Sequence, residues 1–340
     1  MTGGGLVAVH AHPDDETLST GALLATWAAA GKPTCVVTCT RGERGEVLAL
    51  PGTLSEGLRH LEGDFDALAA YRETELERAL RELGVREQVF LDGLPAVGAV
   101  GPSRAGALYV DSGMAWVSPG VAGPAPDAPA GAFSLVPLDE AAGRLAALLR
   151  ERRPSVVATY EPGGGYGHPD HVRAHQVAVR ALELAADPEA AVHGGRVPGE
   201  PWAGAELLQA VAPADEVRAA RRALAAHPAA RSLAAAEGLD LADPDEALPP
   251  FAKDELPGSA ARGAGGGSDA LLRDGDVVSC AVGPVLDRVL AAMRAFATQV
   301  QHVAAVPASV APDSGLLGWY ALSNGVLAPV MERETYLVRR

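Results

Sequence analysis

The stretch Leu6-Val-Ala-Val-His10-Ala-His12-Pro-Asp14-Asp15-Glu16 decides how this chain is read. An apolar run, Leu6–Ala11, ends abruptly in a knot of ionisable side chains. Thr17–Ala30 then reads as a helix stopped by Gly31 and Pro33. Thr34–Thr40 is a β-branched run and reads as a buried strand. A strand, a polar turn, a helix and a second strand make one βαβ unit with its polar groups at the strand's carboxyl end.

Working outward, the same alternation continues. Asp64–Leu83 has helical periodicity and ends at Gly84; Gln88–Leu91 reads as a short strand. Leu138–Arg152 is an amphipathic helix, Ser155–Tyr160 a strand and His171–Ala185 another helix. Strands separated by helices of this length form right-handed crossovers on a parallel sheet. The expected fold class is therefore α/β: a Rossmann-like doubly wound, mostly parallel sheet, with an irregular C-terminal α+β portion capping the site. Residues 1–185 should form the α/β domain and 186–340 a portion packed on it. In that portion Ala214–Ala226 and Pro284–Gln299 look helical and Asp276–Val282 looks like a strand. Ser118–Gly131, Ala186–Trp202 and Leu256–Asp269 are rich in Gly, Pro and Ala and are expected to be loops, the last of them mobile.

The 340 residues, 48% apolar but only 4% aromatic, suffice for a large core of Ala, Val and Leu. The formal net charge of −15 repels phosphate backbones and anionic membranes, which disfavours a nucleic-acid or membrane partner and favours a small neutral substrate. Cys35, Cys39 and Cys280 form no disulfide framework and are expected as buried thiols. No apolar stretch reaches the roughly 20 residues of a membrane helix. No basic segment followed by an apolar run opens the chain, so a cytoplasmic protein is expected.

A second polar cluster, Gly163-Gly-Gly-Tyr166-Gly-His168-Pro-Asp170-His171, follows the strand Ser155–Tyr160 and opens a helix. Both clusters thus fall at the carboxyl edge of the same sheet, where α/β proteins bind ligands. His12, Asp15 and His171 would then form a facial His/Asp/His set suited to zinc or ferrous iron, leaving room for water. Taken singly, Asp14 or Asp15 reads equally well as a helix N-cap. The glycine-rich turn also admits a phosphate cradle, but no G-x-x-x-x-G-K-[ST] is present, and the third glycine of G-x-G-x-x-G is replaced by His168. His175, four residues after His171, is an alternative ligand, and His10 a partner for the ligand shell. His60, His193, His227 and His302 stand alone and suggest surface or packing roles.

These motifs resemble the zinc-dependent N-acetylglucosaminyl deacetylases, the family that includes the phosphatidylinositol-glycan deacetylase. The resemblance is strongest to its mycothiol-biosynthesis branch, which acts on N-acetylglucosaminyl-inositol. It rests on VHAHPDDETLSTG at 9–21, VVTCTRGERGEV at 36–47, AYRETELERALRELGV at 70–85, DSGM at 111–114, YEPGGGYGHPDH at 160–171 and ALSNGVLAPV at 321–330. It implies metal ligands His12, Asp15 and His171; Asp14 as general base; Tyr166 and His168 as oxyanion-stabilising groups; and Asp170 orienting His168. It further implies substrate contacts from Arg72, Asp111 and Glu46, with Met114 lining the pocket. The bland reading of Arg72 is a helix-surface ion pair with Glu73 or Glu75. The implied cofactor is one zinc, or ferrous iron, per chain, and the implied partner an N-acetyl sugar. A sister group, the mycothiol S-conjugate amidases, shares both motifs but carries a lysine where this chain has Ser19.

Overall fold

The computed structural model describes residues 4–98, 109–118, 120–257, 270–307 and 315–339. The chain runs β1 (Leu6–His10), α1 (Asp15–Ala29), β2 (Thr34–Thr38), α2 (Phe65–Leu83), β3 (Glu87–Phe90), the hairpin β4 (Met114–Ser118) and β5 (Val121–Pro124), α3 (Leu138–Arg152), β6 (Val156–Tyr160), the single turn α4 (Gly164–Gly167) and α5 (Pro169–Ala186). A small hairpin follows, β7 (Ala191–Val192) and β8 (Gly195–Arg196), then β9 (Glu206–Pro213), α6 (Ala214–Ala226), α7 (Pro228–Glu237), β10 (Asp240–Leu241) and β11 (Ala252–Lys253). The last elements are β12 (Leu271–Asp274), β13 (Val277–Ala281), α8 (Leu286–Ala295), β14 (Gln301–Ala305), β15 (Leu316–Ala321), β16 (Val326–Met331) and β17 (Arg333–Arg339).

Nine strands form a central mixed sheet in the order β12-β13-β17-β9-β6-β1-β2-β3, with β11 attached to β9. From β9 through β6, β1 and β2 to β3 the pairing is parallel; β17, β13 and β12 add antiparallel strands. Every residue of β1, β2 and β6 is buried, as expected of strands covered on both faces. Period-two alternation sends them to two cores. Leu6, Ala8, Val36 and Ala158 pack with α1, α2 and α8, whereas Val7, Val9, Val37 and Val157 pack with α3 and α5. The result is a helix–sheet–helix sandwich.

The main sheet runs across residue 186, since β9 pairs with β6 and β17 with β9. The C-terminal portion is thus less irregular than expected. It completes the sheet and adds a four-stranded one, β10-β16-β15-β14. Two stretches expected as loops contain strands: β5, the second strand of its hairpin, lies within Ser118–Gly131, and the whole β7–β8 hairpin within Ala186–Trp202. The Pro284–Gln299 helix shortens to α8, and the Thr34–Thr40 strand to β2. Residues 258–269 of the stretch expected to be mobile lie outside the described residues; Leu256 is buried against Val211 and Val277. All three cysteines are buried free thiols. Among the described residues no helix is long and apolar enough to cross a membrane.

Candidate active site

The chain visits β1, β2 and β3 on one side of the sheet, then returns to place β6 and β9 on the other side of β1. The strand order reverses between β1 and β6, and α/β sheets bind ligands just past the carboxyl ends of strands at such a point. His12 follows β1, and His168 and His171 follow β6.

Three atoms meet there. His12 Nδ1 lies 3.3 Å from Asp15 Oδ2, His171 Nε2 lies 3.2 Å from the same oxygen, and the two nitrogens are 3.3 Å apart. The opposite edges of both rings are engaged. His171 Nδ1 is 3.1 Å from the carbonyl of Gly164, which can only accept, so the proton sits on Nδ1. His12 Nε2 is 3.3 Å from Asp170 Oδ2 and 3.7 Å from Asp111 Oδ1, which places its proton on Nε2. In these neutral tautomers two imidazole lone pairs and a carboxylate oxygen face one another, a triangle that a proton on a ring nitrogen or a bound metal ion would fill. Ligands about 2.0–2.1 Å from a tetrahedral zinc stand about 3.3–3.4 Å apart, which matches the observed triangle. Ligand-type atoms of His168 also fall within 4.8 Å of those of His12 and His171, as do those of Asp111 and Asp170 around His12. The latter pair, however, is reached through the other edge of the His12 ring.

With no metal ion bound, a proton on His12 meets the same need. Burial opposes the charge on His12, yet Asp111, Asp15 and Asp170 outweigh it and raise the imidazole well above its usual range. Burial likewise opposes the charge on Asp15, but His171 and His12 hold its carboxyl well below the usual carboxylate range. The pocket favours positive charge.

Asp14 occupies the N-cap position of α1 without capping it; its side chain accepts no backbone hydrogen bond and its φ is +114°. The cap reading of Asp14 thus fails. The carboxyl is held well above the usual carboxylate range by burial, then by the charges of Asp15 and Glu16. Its neighbour Asp15 accepts the backbone N–H of His12 at 2.9 Å.

The glycine-rich turn is fixed by close approaches. Gly164 and Gly167 have φ of +67° and +95°; a Cβ on Gly164 would lie 2.7 Å from Val172 N, and one on Gly167 2.5 Å from Ala122 O. The N–H groups of Gly163 and Gly165, which a phosphate cradle would offer, are bound by the Glu161 carboxylate at 2.7 and 3.1 Å. The turn is therefore closed to an external anion. It presents Tyr166, whose ring centroid is 5.0 Å from that of His171. Burial, followed by Asp15, raises the Tyr166 phenol above its usual range and keeps it a donor. His168 caps α5, its Nδ1 accepting the backbone N–H of Asp170 at 3.2 Å. Its proton therefore lies on Nε2. Burial, then the charges of His12 and His171, holds it well below the usual imidazole range.

Several expectations need correction. The Asp170 carboxylate does not orient His168. It accepts from His12 Nε2, from Ser112 N at 2.8 Å and from Ser112 Oγ; only the backbone of Asp170 touches His168. His10 hydrogen-bonds away from the ligand set, its Nε2 2.9 Å from Thr20 Oγ1, and reaches that set only through the ring of Tyr160, 5.2 Å away. His175 lies a turn further along α5, with Nδ1 2.9 Å from the carbonyl of Tyr160, away from the triangle. Arg72 pairs with neither Glu73 nor Glu75. It is buried, and its terminal nitrogens donate to the carbonyls of Gly42 and Glu46. Its guanidinium shapes the 42–46 loop.

Asp111 is buried, with Oδ1 accepting Gly113 N at 2.8 Å. Glu46 is exposed and borders a cleft of about 270 Å³ with Glu43, Arg44, Glu62 and Phe65. Met114 opens β4, half-buried. Sequence reasoning missed Tyr160, stacked 4.3 Å from the His171 ring, and Trp116, 50% exposed with its ring 5.9 Å from Tyr166. It also missed Glu43, which accepts the Asp111 N–H. For Trp116 a signal existed: an aromatic residue two positions after Met114 in an aromatic-poor chain.

Fold and site together define an α/β protein built around a buried, cation-seeking His/Asp centre at the carboxyl edge of its sheet. Residues 7–182 match the family described as "PIG-L: GlcNAc-PI de-N-acetylase", and the chain belongs to that family of deacetylases. It is 39% identical over 334 residues to the 1D-myo-inositol 2-acetamido-2-deoxy-alpha-D-glucopyranoside deacetylase of Kineococcus radiotolerans, covering 97% of this chain and 76% of that one. The enzyme of the same name from Streptomyces avermitilis is 39% identical over 338 residues, covering 98% and 92%. Among solved structures, N,N'-diacetylchitobiose deacetylase from Pyrococcus horikoshii aligns with a TM-score of 0.38 at 21% identity, over 60% of this chain and 59% of that one.

Proposed function

We propose that this protein hydrolyses the N-acetyl group of N-acetylglucosaminyl-inositol, giving glucosaminyl-inositol and acetate in mycothiol biosynthesis. One divalent ion per chain, zinc or ferrous iron, would be held by His12 Nδ1, Asp15 Oδ2 and His171 Nε2. The observation that carries this reading is the triangle of three acceptors, with both imidazole rings anchored by their opposite nitrogens. The strand reversal beside the site supports a Rossmann-like reading of the parallel core. The names of the full-length relatives support the choice of substrate.

A divalent ion bound there supplies a Lewis acid for the amide oxygen and lowers the pKa of water to about 7. The rest falls to side chains. Asp14, whose side chain caps no backbone N–H and whose proton affinity is raised by burial and then by Asp15 and Glu16, takes the proton of the attacking water. The Tyr166 phenol and His168 Nε2–H donate to the developing oxyanion, each such donor contributing about 10²–10³ in rate. Its Nδ1 engaged and its burial disfavouring charge, His168 stays neutral. The amine's proton therefore comes from Asp14, which gained one in the first step. Asp170 acts through His12, and Arg72 through the loop it holds and its charge near Asp14. Asp111, Glu46 and Met114 are the side chains proposed to contact the substrate, Glu46 from the border of the cleft beside Glu43 and Arg44.

The test is metal analysis of the purified protein coupled to amine release from a panel containing N-acetylglucosaminyl-inositol, N-acetylglucosamine and a mycothiol S-conjugate. Stoichiometric metal and preferred turnover of the inositol glycoside are expected. Preferred turnover of the S-conjugate, or amine release from none of the three, refutes the proposal.

A further inference from the structure

The turn that carries Tyr166 is held from beneath by a group that the proposed mechanism does not use. Glu161 follows β6 directly and is 2% exposed. Its carboxylate accepts Gly163 N and Gly165 N, while its own carbonyl accepts Gly164 N at 2.9 Å. Three consecutive N–H groups of the turn thus end on one residue. A buried carboxylate needs a counter-charge, and this one comes from far along the chain. Lys253 Nζ lies 3.4 Å from Glu161 Oε2 and donates to the carbonyl of Pro250 at 2.6 Å. The same segment grips the turn a second time, since Phe251 N donates to the carbonyl of Gly165 at 3.0 Å. It is tied in turn to the central sheet by the pairing of β11 with β9.

What the turn delivers to the site depends on this grip. Gly165 adopts φ +75° and ψ −73°, outside any helical basin, next to Tyr166. The carbonyl of Gly164 selects the His171 tautomer. Both are fixed once the Gly163 and Gly165 N–H groups are fixed.

We propose that Glu161 and Lys253 are positioning residues: a built-in anion and its counter-charge that occupy the amides of the turn and thereby aim Tyr166 at the reacting carbonyl. The C-terminal portion of the chain thus contributes to the site without touching the substrate. The kinetic part of this inference rests on the deacetylase reading above; the structural part does not.

The experiment compares Lys253→Met and Glu161→Gln with the wild type, alone and combined with Tyr166→Phe. Lys253 is partly exposed, so its variant folds even if loss of the buried Glu161 charge is not tolerated. In hydrogen exchange read by mass spectrometry, a peptide spanning 163–167 should exchange at least several-fold faster in Lys253→Met, with α3 and β1 peptides unchanged. In N-acetylglucosaminyl-inositol hydrolysis, Lys253→Met should lower kcat about tenfold, within the range for groups that orient catalytic residues, with KM changed less than twofold. In the Tyr166→Phe background the same substitution should cost no more than about twofold, because the aimed hydroxyl is already gone. Unchanged exchange in 163–167 overturns the clamp whatever the substrate is. Faster exchange with fully multiplicative kinetic losses overturns the link to Tyr166. Absence of turnover by the wild type overturns the functional reading instead, and the exchange result still decides the clamp.

Discussion

Replacing Asp170 separates two accounts of how the centre is held. Its carboxylate is fully buried and receives three donors: Ser112 N and His12 Nε2 on Oδ2, and Ser112 Oγ on Oδ1. Asn can keep all three contacts. Its oxygen takes the Oδ2 position, and its amide faces Ser112 Oγ, which turns to accept while its own proton goes to Ser134 Oγ, 2.8 Å away. Only the charge is lost. A hydrogen bond to a charged group contributes about 1.5–3 kcal/mol against about 1 for a neutral one, so the change should remove about 1–1.5 kcal/mol. That corresponds to a roughly tenfold weaker affinity for the ion, transmitted through a less basic His12 Nδ1. Asp170→Ala also frees the His12 ring and leaves Ser112 N unpaired, so its loss should approach 100-fold. Zinc titration of the metal-free protein against a chromophoric chelator reads both. At saturating zinc, kcat of Asp170→Asn should stay within a few-fold of wild type. The reasoning is refuted if Asp170→Asn binds zinc like wild type yet loses turnover, because Asp170 would then serve His168 after all.

Asp14→Asn should lower kcat by about 10²–10⁴ while zinc affinity changes less than twofold; comparable loss of both would make Asp14 a ligand rather than the base. Tyr166→Phe keeps the ring against His171 and should lower kcat by about 10²–10³, read in the same amine-release assay. Buried Glu334 is pushed by burial to about 7 from an ordinary value of 4.5. Between those values the folded state holds a proton that the unfolded chain has released, so this group's contribution to stability falls as pH rises from about 4.5 to about 7. The slope of Tm against pH over that window should flatten in Glu334→Gln; an unchanged slope refutes the assignment.

The site was legible because its key groups are neighbours in sequence. Strand ends of a parallel sheet place short loops at one edge, so His12–Asp15 and Tyr166–His171 could be read as two motifs and joined by topology. What escaped lies where a side chain reaches across the fold. Asp170 was paired with its near neighbour His168, whereas its partner is His12, 158 positions away. Arg72 reads in sequence as a substrate contact, with a helix-surface ion pair as its bland alternative, yet it turns inward to the carbonyls of Gly42 and Glu46. The strands at residues 206–213 and 326–339 escaped for a different reason. The first is rich in Ala and Leu with a single β-branched residue, Val211, and such a run fits a buried helix segment as well as a strand. The Glu161–Lys253 pair carries no local pattern at all.

The backbone at Asp14 has one more consequence. A φ of +114° is a conformation that glycine adopts freely and that costs other residues about 1–3 kcal/mol. The chain therefore keeps a strained residue at the position proposed to carry the proton. Selection for thermal robustness alone would drift toward glycine at position 14 and give a hardier protein that still binds its ion but no longer turns over. With Asp14 as the proposed base, stability and activity pull in opposite directions at this residue, and screens of this fold that reward melting temperature without turnover would lose it first.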